Sequence, residues 1–256
     1  MKNAFVETAN MRRFLAGLTA LERRGAQEAC LLVVDGLPGL GKTTAVHRWA
    51  AQTGAVYVRA KKEWTPGWFV NDLLNEFRIA PAHSYQKRFA QALEAMLQRQ
   101  TSMLLQKKTF AVVIDEADHI SRSADIMESI RDFSDMGDIV FVLVGMGKIR
   151  DNLTRFPQVA SRIAQYVRFE KASRDDVRAF FDGRCEYPVA DDVVEFTARV
   201  ADGFNREVVE AIASVERFGR RNGAGPDKPV QLGQLAGQPL INDRRTGEPI
   251  LVPGGV

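Results

Sequence analysis

The sequence predicts an α/β fold, an αβα sandwich on a five-stranded parallel sheet, followed by a small helical subdomain. Two observations predict the sheet: five short runs of almost unbroken apolar residues, and amphipathic segments between them. A third, the absence of such runs after residue 172, predicts the helical part. The runs are "CLLVVD" (30–35), "AVYVRA" (55–60), "TFAVVID" (109–115), "IVFVLVG" (139–145) and "QYVRFE" (165–170). None alternates strictly, as expected of strands buried on both faces of a parallel sheet. Residues 1–27 read as an N-terminal helical extension. Residues 43–52 place Val46, Trp49 and Ala50 on one helical stripe, and residues 84–106 do the same with Phe89, Leu93, Met96, Leu97 and Leu104. Strand–helix alternation over 28–172 argues for three layers. Residues 173–221 read as three helices. The first opens on Ser173 as N-cap with acids in its first turn; the second carries Val193, Phe196, Thr197 and Val200; the third carries Val208, Val209, Ile212, Val215 and Phe218. Residues 222–256, with seven glycines and five prolines, are expected to be extended, either a flexible end or an arm that binds a partner.

An apolar fraction of 45% in 256 residues supplies material for a sizeable core. No run of 18 apolar residues is present, so no membrane span is expected, and the opening "MKNAFVETANMRRF" lacks the apolar stretch of a secretory signal. Cys30 and Cys185 match no metal or redox spacing, and His47, His83 and His119 form no cluster. A reduced, cytoplasmic protein is expected. The net charge of +3 hides an asymmetry: 16 Lys+Arg against 8 Asp+Glu in residues 1–110, and 19 against 24 in the remainder. That bias suits a polyanion facing the N-terminal half, or an uneven surface.

The stretch "VVDGLPGLGKTTAVHRW" (33–49) bends between a buried strand and an amphipathic helix. Gly36-x4-Gly41-Lys42-Thr43 is a complete P-loop pattern in the right context. Glycines let successive N–H groups turn inward as a nest for phosphate oxygens, and the following helix adds its positive pole. The nucleotide-binding set is therefore Gly36, Leu37, Pro38, Gly39, Leu40, Gly41, Lys42, Thr43 and Thr44. Lys42 would meet the β- and γ-phosphates, and the Thr43 hydroxyl would ligate Mg2+. In "AVVIDEAD" (111–118) two acids end a buried strand, which is costly unless they face a cation. Asp115 is the second magnesium residue, and Glu116 the base that polarises the attacking water. Asp118 and His119 read as local polar residues. Arg155 and Arg162, before the fifth strand, are candidates to reach a neighbouring subunit's γ-phosphate, or to make ordinary salt bridges. Arg206, at the start of the last helix, is placed to close over the nucleotide.

In order, "GLPGLGKT", "VVIDEAD", the strand ending "VLVGMG", the "SRI" arginine and "GFNR" resemble the AAA+ ATPases over residues 28–220. The resemblance implies ATP sites shared between adjacent subunits, a helical lid, Arg162 as the trans arginine finger and Arg206 as the lid sensor. It departs from the family where the fourth strand usually ends in a polar sensor residue and Met146 stands instead. Slow hydrolysis is expected, or water positioned by Ser134 or Asp135.

More narrowly, residues 5–44 and "RAKKEWTPGWFVNDLL" are similar to the transposition protein B group of Mu-like phages. That similarity implies ATP-driven self-association into a ring or filament on double-stranded DNA and delivery of that target to a transposase. About thirty residues before the first strand are too few for the helix-turn-helix segment of larger members, so the AAA+ core is expected to hold the DNA. Its candidate surface is Arg59, Lys61, Lys62 and Trp64, extended by Lys87, Arg88, Lys107 and Lys108. Lysines there would neutralise phosphates without reading sequence, unless the segment is only a solvated basic loop. Trp64 is the candidate for stacking, with Trp68 and Phe69 assigned to the core. No recognition helix for base readout is apparent. The expected function is an ATP-dependent, sequence-nonspecific DNA-binding ATPase acting in transposition; the alternative is a signalling or secretion ATPase that remodels protein partners without DNA.

Overall fold

The computed structural model describes residues 1–225 and 228–254; the part of the predicted arm at 226–227 and 255–256 lies outside them. In chain order the elements are α1 (Ala9–Glu22), β1 (Leu31–Asp35), α2 (Lys42–Thr53), β2 (Val56–Arg59), α3 (Pro66–Glu76), α4 (Tyr85–Leu105), β3 (Ala111–Asp115), α5 (Ala124–Gly137), β4 (Val140–Val144), α6 (Ile149–Leu153), α7 (Pro157–Ala160), β5 (Ile163–Arg168), α8 (Arg174–Arg184), α9 (Asp191–Val200), α10 (Asn205–Arg221), β6 (Pro239–Asn242) and β7 (Pro249–Leu251). The chain divides into two compact units, one of Arg13–Leu37 and Lys42–Phe169, the other of Met1–Arg12, Pro38–Gly41 and Glu170–Val256.

The first unit holds a five-stranded sheet in the order β2-β3-β4-β1-β5, every pairing parallel. Its strands are the five apolar runs, and alternate residues face opposite layers. Leu31, Val33, Val58, Val112, Ile114, Phe141 and Leu143 join one core with α3, α4 and α5, where Phe89 of α4 stacks on Phe133 of α5 at 4.0 Å between centroids. Leu32, Val34, Val113, Val142 and Val144, which point the other way, are just as buried. On that face α1 comes close: a Cβ on Gly17 would meet a Val167 methyl at 2.4 Å and Leu32 at 3.4 Å. Phe14 of α1 meets Trp49 of α2 edge-on at 5.4 Å. Two helix assignments change. Leu104 is 72% exposed, and Ala92, Ala95 and Met103 share the buried stripe of α4 with Met96.

The second unit packs α8, α9 and α10 around Val177, Phe181, Val193, Val194, Val208, Ile212 and Val215. Ser173 and Asp176 form a reciprocal capping box at the start of α8, which fixes where that helix begins. The expected extended arm is instead folded into this core. Val230, Leu235, Leu240, Ile241 and Val252 are buried with the helices, and β6 and β7 pair antiparallel. Gly237 (φ 74°) and Gly247 (φ 76°) make the turns that lead into β6 and β7, which open on Pro239 and Pro249. Asp243 Oδ1 accepts from the N–H groups of Arg245 (2.8 Å) and Thr246 (2.9 Å), closing the hairpin turn.

Candidate functional site

The loop between β1 and α2 bends through Gly39 (φ +94°) and Gly41 (φ +85°), a left-handed backbone that disfavours side chains. At Gly41 space forbids one as well, since a Cβ would lie 2.6 Å from Asn205 Nδ2. Lys42 is only 8% exposed, and its ammonium donates to the carbonyls of Gly36 (2.6 Å) and Leu37 (2.9 Å). Burial lowers its pKa, while Asp35, Asp118 and Asp115 oppose that shift. The first turn of α2 carries no acid, so its unpaired N–H groups stay attractive to an anion. Thr43 and Thr44 are exposed in that turn.

Asp115 ends β3 buried. Its Oδ2 accepts from Tyr57 Oη at 2.7 Å and its Oδ1 from the Glu116 N–H at 2.8 Å. Tyr57, in turn held edge-on by His47 at 5.0 Å, fixes the carboxylate and was not singled out from sequence. Its signal was a hydroxyl within an otherwise apolar strand. Burial and the Asp115 bond push the Tyr57 pKa far up, so it remains a donor. Glu116 leaves the strand in a left-handed conformation, φ 54°. Its Oε1 meets Arg59 Nη2 at 2.5 Å and its Oε2 lies 3.6 Å from His119 Nε2. The bond from Arg59 lowers the Glu116 pKa against partial burial, with His119 adding a smaller effect.

Asp118 is more than a local polar residue. Its Oδ2 accepts the Met146 N–H, tying the end of β3 to the end of β4. A carboxylate thus stands where the missing polar sensor was expected. Ser134 and Asp135 do not fill that role. Ser134 is buried against Cys30, ahead of β1, and Asp135 pairs with Arg162, ahead of β5. Both lie where the strands begin, a strand length of roughly 15 Å from the end at which Asp115 stands.

Arg162 makes a two-pronged pair with Asp135, Nε–Oδ1 2.7 Å and Nη2–Oδ2 3.0 Å. From that edge it serves no phosphate on its own loop. Arg155 is exposed, and no acidic partner for it occurs among the described residues. In the second unit Arg206 is exposed on the first turn of α10. The neighbours of the loop there are two residues that the sequence reading passed over. Asn205 Nδ2 donates to Leu40 O at 3.1 Å, and Arg244 Nη2 to Pro38 O at 3.0 Å. Asn205 Oδ1 and Glu207 Oε2 are buried with no partner among the described residues.

The proposed DNA set separates. Trp64 is not available for stacking: it is 6% exposed, its Nε1 donates to Asp72 at 2.8 Å, and its ring packs on Phe69 at 5.3 Å. Thr65 caps α3, which makes Trp64 and Phe69 the N′ and N4 residues of a hydrophobic staple. Trp68, assigned to the core, is 43% exposed instead. Lys61 pairs with Asp72 at 2.7 Å and Arg59 is held by Glu116. Lys62 is exposed and lines an open hollow of about 520 Å³ with His119, Arg122, Met146 and Lys148. Lys87 and Lys107 lie at opposite ends of α4, about 30 Å apart along its axis, so they do not make one patch.

A family pattern described as AAA domain matches residues 23–153, just over half of the chain. The chain belongs to the AAA domain family. This AAA chain is also 24% identical over 183 residues to the "Mu-like prophage FluMu DNA transposition protein B" of Haemophilus influenzae, covering 69% of this chain and 60% of that protein. It therefore spans about 60% of that relative's length. Among solved structures, Cdc6p from Pyrobaculum aerophilum superposes with a TM-score of 0.65 at 15% identity, over 91% of this chain and 68% of that one. The Aeropyrum pernix ORC1 protein in complex with DNA gives 0.55 at 19% identity, over 84% and 60%. These likenesses show the AAA+ fold, and the sequence resembles transposition protein B. Among the described residues no helix is long and apolar enough to cross a membrane.

Proposed function

We propose that the chain binds ATP with magnesium on the loop Gly36–Thr43, hydrolyses it slowly, and uses it to assemble on duplex DNA for delivery to a transposase. The observation that carries this reading is Lys42: a buried ammonium bonded, among the described residues, to two loop carbonyls, with three carboxylates in electrostatic reach. Phosphate oxygens would replace those carbonyls with stronger, charge-assisted bonds. A hydroxyl and one carboxylate suit magnesium, which keeps its waters and leans on substrate phosphates. Thr43 and Asp115 would hold it, and it would neutralise phosphate charge. Glu116 would orient and deprotonate water after leaving Arg59, and Asp118 would hold the Met146 end of β4 in place. In trans, Arg162 is the proposed finger, which requires it to exchange Asp135 for a neighbour's phosphate; Arg155 needs no such exchange. Arg206 is the proposed lid sensor.

The Arg59–Glu116 pair sets a pH dependence. A carboxyl held below its usual range stays ionised, and able to act as base, to lower pH. Replacing Arg59 with alanine removes the main cause of that shift. The acid limb of the turnover profile should then move to higher pH. Near neutrality, release of an exposed ion pair should raise turnover by up to about fivefold. Phosphate release measured from about pH 3 to 8 checks both; an unmoved acid limb removes Glu116 from the base role.

For DNA, the supported contact is Lys62, flanked by Arg122 and Lys148 around one hollow. Lys62→Ala should weaken binding to all sequences alike and reduce the log–log salt slope by about 0.9. Anisotropy of labelled duplexes, with and without ATP and over a salt series, tests this and the wider reading. ATP-dependent binding is expected. Its absence under both conditions would favour the protein-remodelling ATPase, to which the acid-paired Lys61 and Arg59 already lend some support.

A further inference from the structure

Thr43 and Asp115, the two residues proposed for magnesium, stand on different elements of the first unit, α2 and β3. Two further side chains of that unit link those elements. His47 lies four residues after Thr43, on the same face of α2. Its ring meets Tyr57 of β2 edge-on at 5.0 Å between centroids, and the Tyr57 hydroxyl donates to Asp115 Oδ2 at 2.7 Å. The register sets Tyr57 beside Val113, two residues before Asp115 and on the same face of the sheet. Val56 and Val58, its neighbours in β2, belong to the core on the other face.

A phenylalanine would fill the same place in β2 and spare a half-buried hydroxyl. What the hydroxyl adds is one bond, to a carboxylate that is 3% exposed. The Glu116 N–H holds the other oxygen at 2.8 Å. One donor on each oxygen fixes the plane of the carboxylate, and an ionised carboxyl so held still has lone pairs to give to a metal. Partners of this kind decide how well a metal ligand is aimed, and losing one costs about tenfold or more in metal affinity. We propose that Tyr57 is a positioning residue that aims Asp115 and so sets how little magnesium the site needs. The proposal rests on the reading that the loop binds ATP with magnesium. Every group it names lies in the first unit.

The test uses the full chain and a fluorescent ATP analogue, titrated in EDTA and then at rising magnesium against the parent protein, Tyr57→Phe, Asp115→Asn and the double variant. In the parent, magnesium should tighten binding. Tyr57→Phe should need at least about tenfold more magnesium for half of that effect. In EDTA it should match the parent, since the loop then acts without the metal. In the Asp115→Asn background the same substitution should shift nothing further, because a positioning residue acts through the group it aims. A hydroxyl that merely satisfies a buried acceptor would behave differently: Tyr57→Phe would lower the unfolding temperature and leave the magnesium requirement unchanged, and that result overturns the proposal. So does an equal loss of affinity with and without the metal. A parent protein that binds the analogue equally well in EDTA and in magnesium also overturns it, yet leaves the loop standing as a nucleotide site. A parent that binds no analogue under either condition defeats the loop reading and this proposal with it.

Discussion

Lys42→Ala should lose at least about 100-fold in affinity for ATP, because two or more charge-assisted bonds to phosphate vanish together. Assembly and DNA binding should go with it if ATP drives them. The loss should come without collapse of the fold. Among the described residues Lys42 bonds to Gly36 O and Leu37 O, both on the loop after β1, and its removal leaves the strands and the α2 stripe of Val46, Trp49 and Ala50 untouched. Isothermal titration with ATP and magnesium, beside a thermal unfolding curve, separates the two effects. A variant that melts like the parent and binds ATP equally well would end the phosphate-loop reading. In the parent protein burial lowers the Lys42 pKa, so its charge is lost at a lower pH than an ordinary lysine's. ATP affinity should accordingly begin to fall on the alkaline side sooner than for an exposed lysine, to the extent that Asp35, Asp118 and Asp115 do not hold the proton.

What could be read in advance was what lies close along the chain. Five apolar runs became five strands because a run of Val, Leu and Ile buried on both faces has no other place to go. The phosphate loop was legible because its glycines, lysine and threonine fall within eight positions. Burial at a helix entrance was harder. Stripe counting put Trp68 beside Phe69 in the core and left Trp64 outside, whereas the Thr65 cap turns the chain so that Trp64 covers Phe69. Composition misled for the arm, where Gly237 and Gly247 turn the chain between buried anchors such as Leu235, Leu240 and Val252. Pairings remote in sequence left no local mark: Arg59 with Glu116 across 57 positions, and Arg244 with Pro38 across 206. Arg59 and Lys61 looked free until the fold supplied Glu116 and Asp72, which is why a basic cluster counted from sequence overstated the charge left for DNA.

Glu116→Gln should hold ATP and almost cease to turn it over. An amide of the same shape fills the space, but it accepts no proton, and loss of a general base costs about 100-fold or more in rate. The neutral amide also releases Arg59, so the exposed positive charge beside Lys62 increases. Two consequences point the same way: DNA complexes should persist longer because hydrolysis no longer dissolves them, and their formation should be more sensitive to salt. Single-turnover phosphate release, with dissociation from labelled duplex followed after dilution, measures both. Parent-like hydrolysis in Glu116→Gln would move the base elsewhere, and Asp118 is the next residue to test. Burial raises the pKa of that carboxyl while the Met146 N–H lowers it, and it is one of the groups acting on Lys42. Asp118→Asn keeps an acceptor for Met146 and removes the charge. If Glu116 is the base, it should slow turnover less than Glu116→Gln does; the reverse order would give the catalytic role to Asp118.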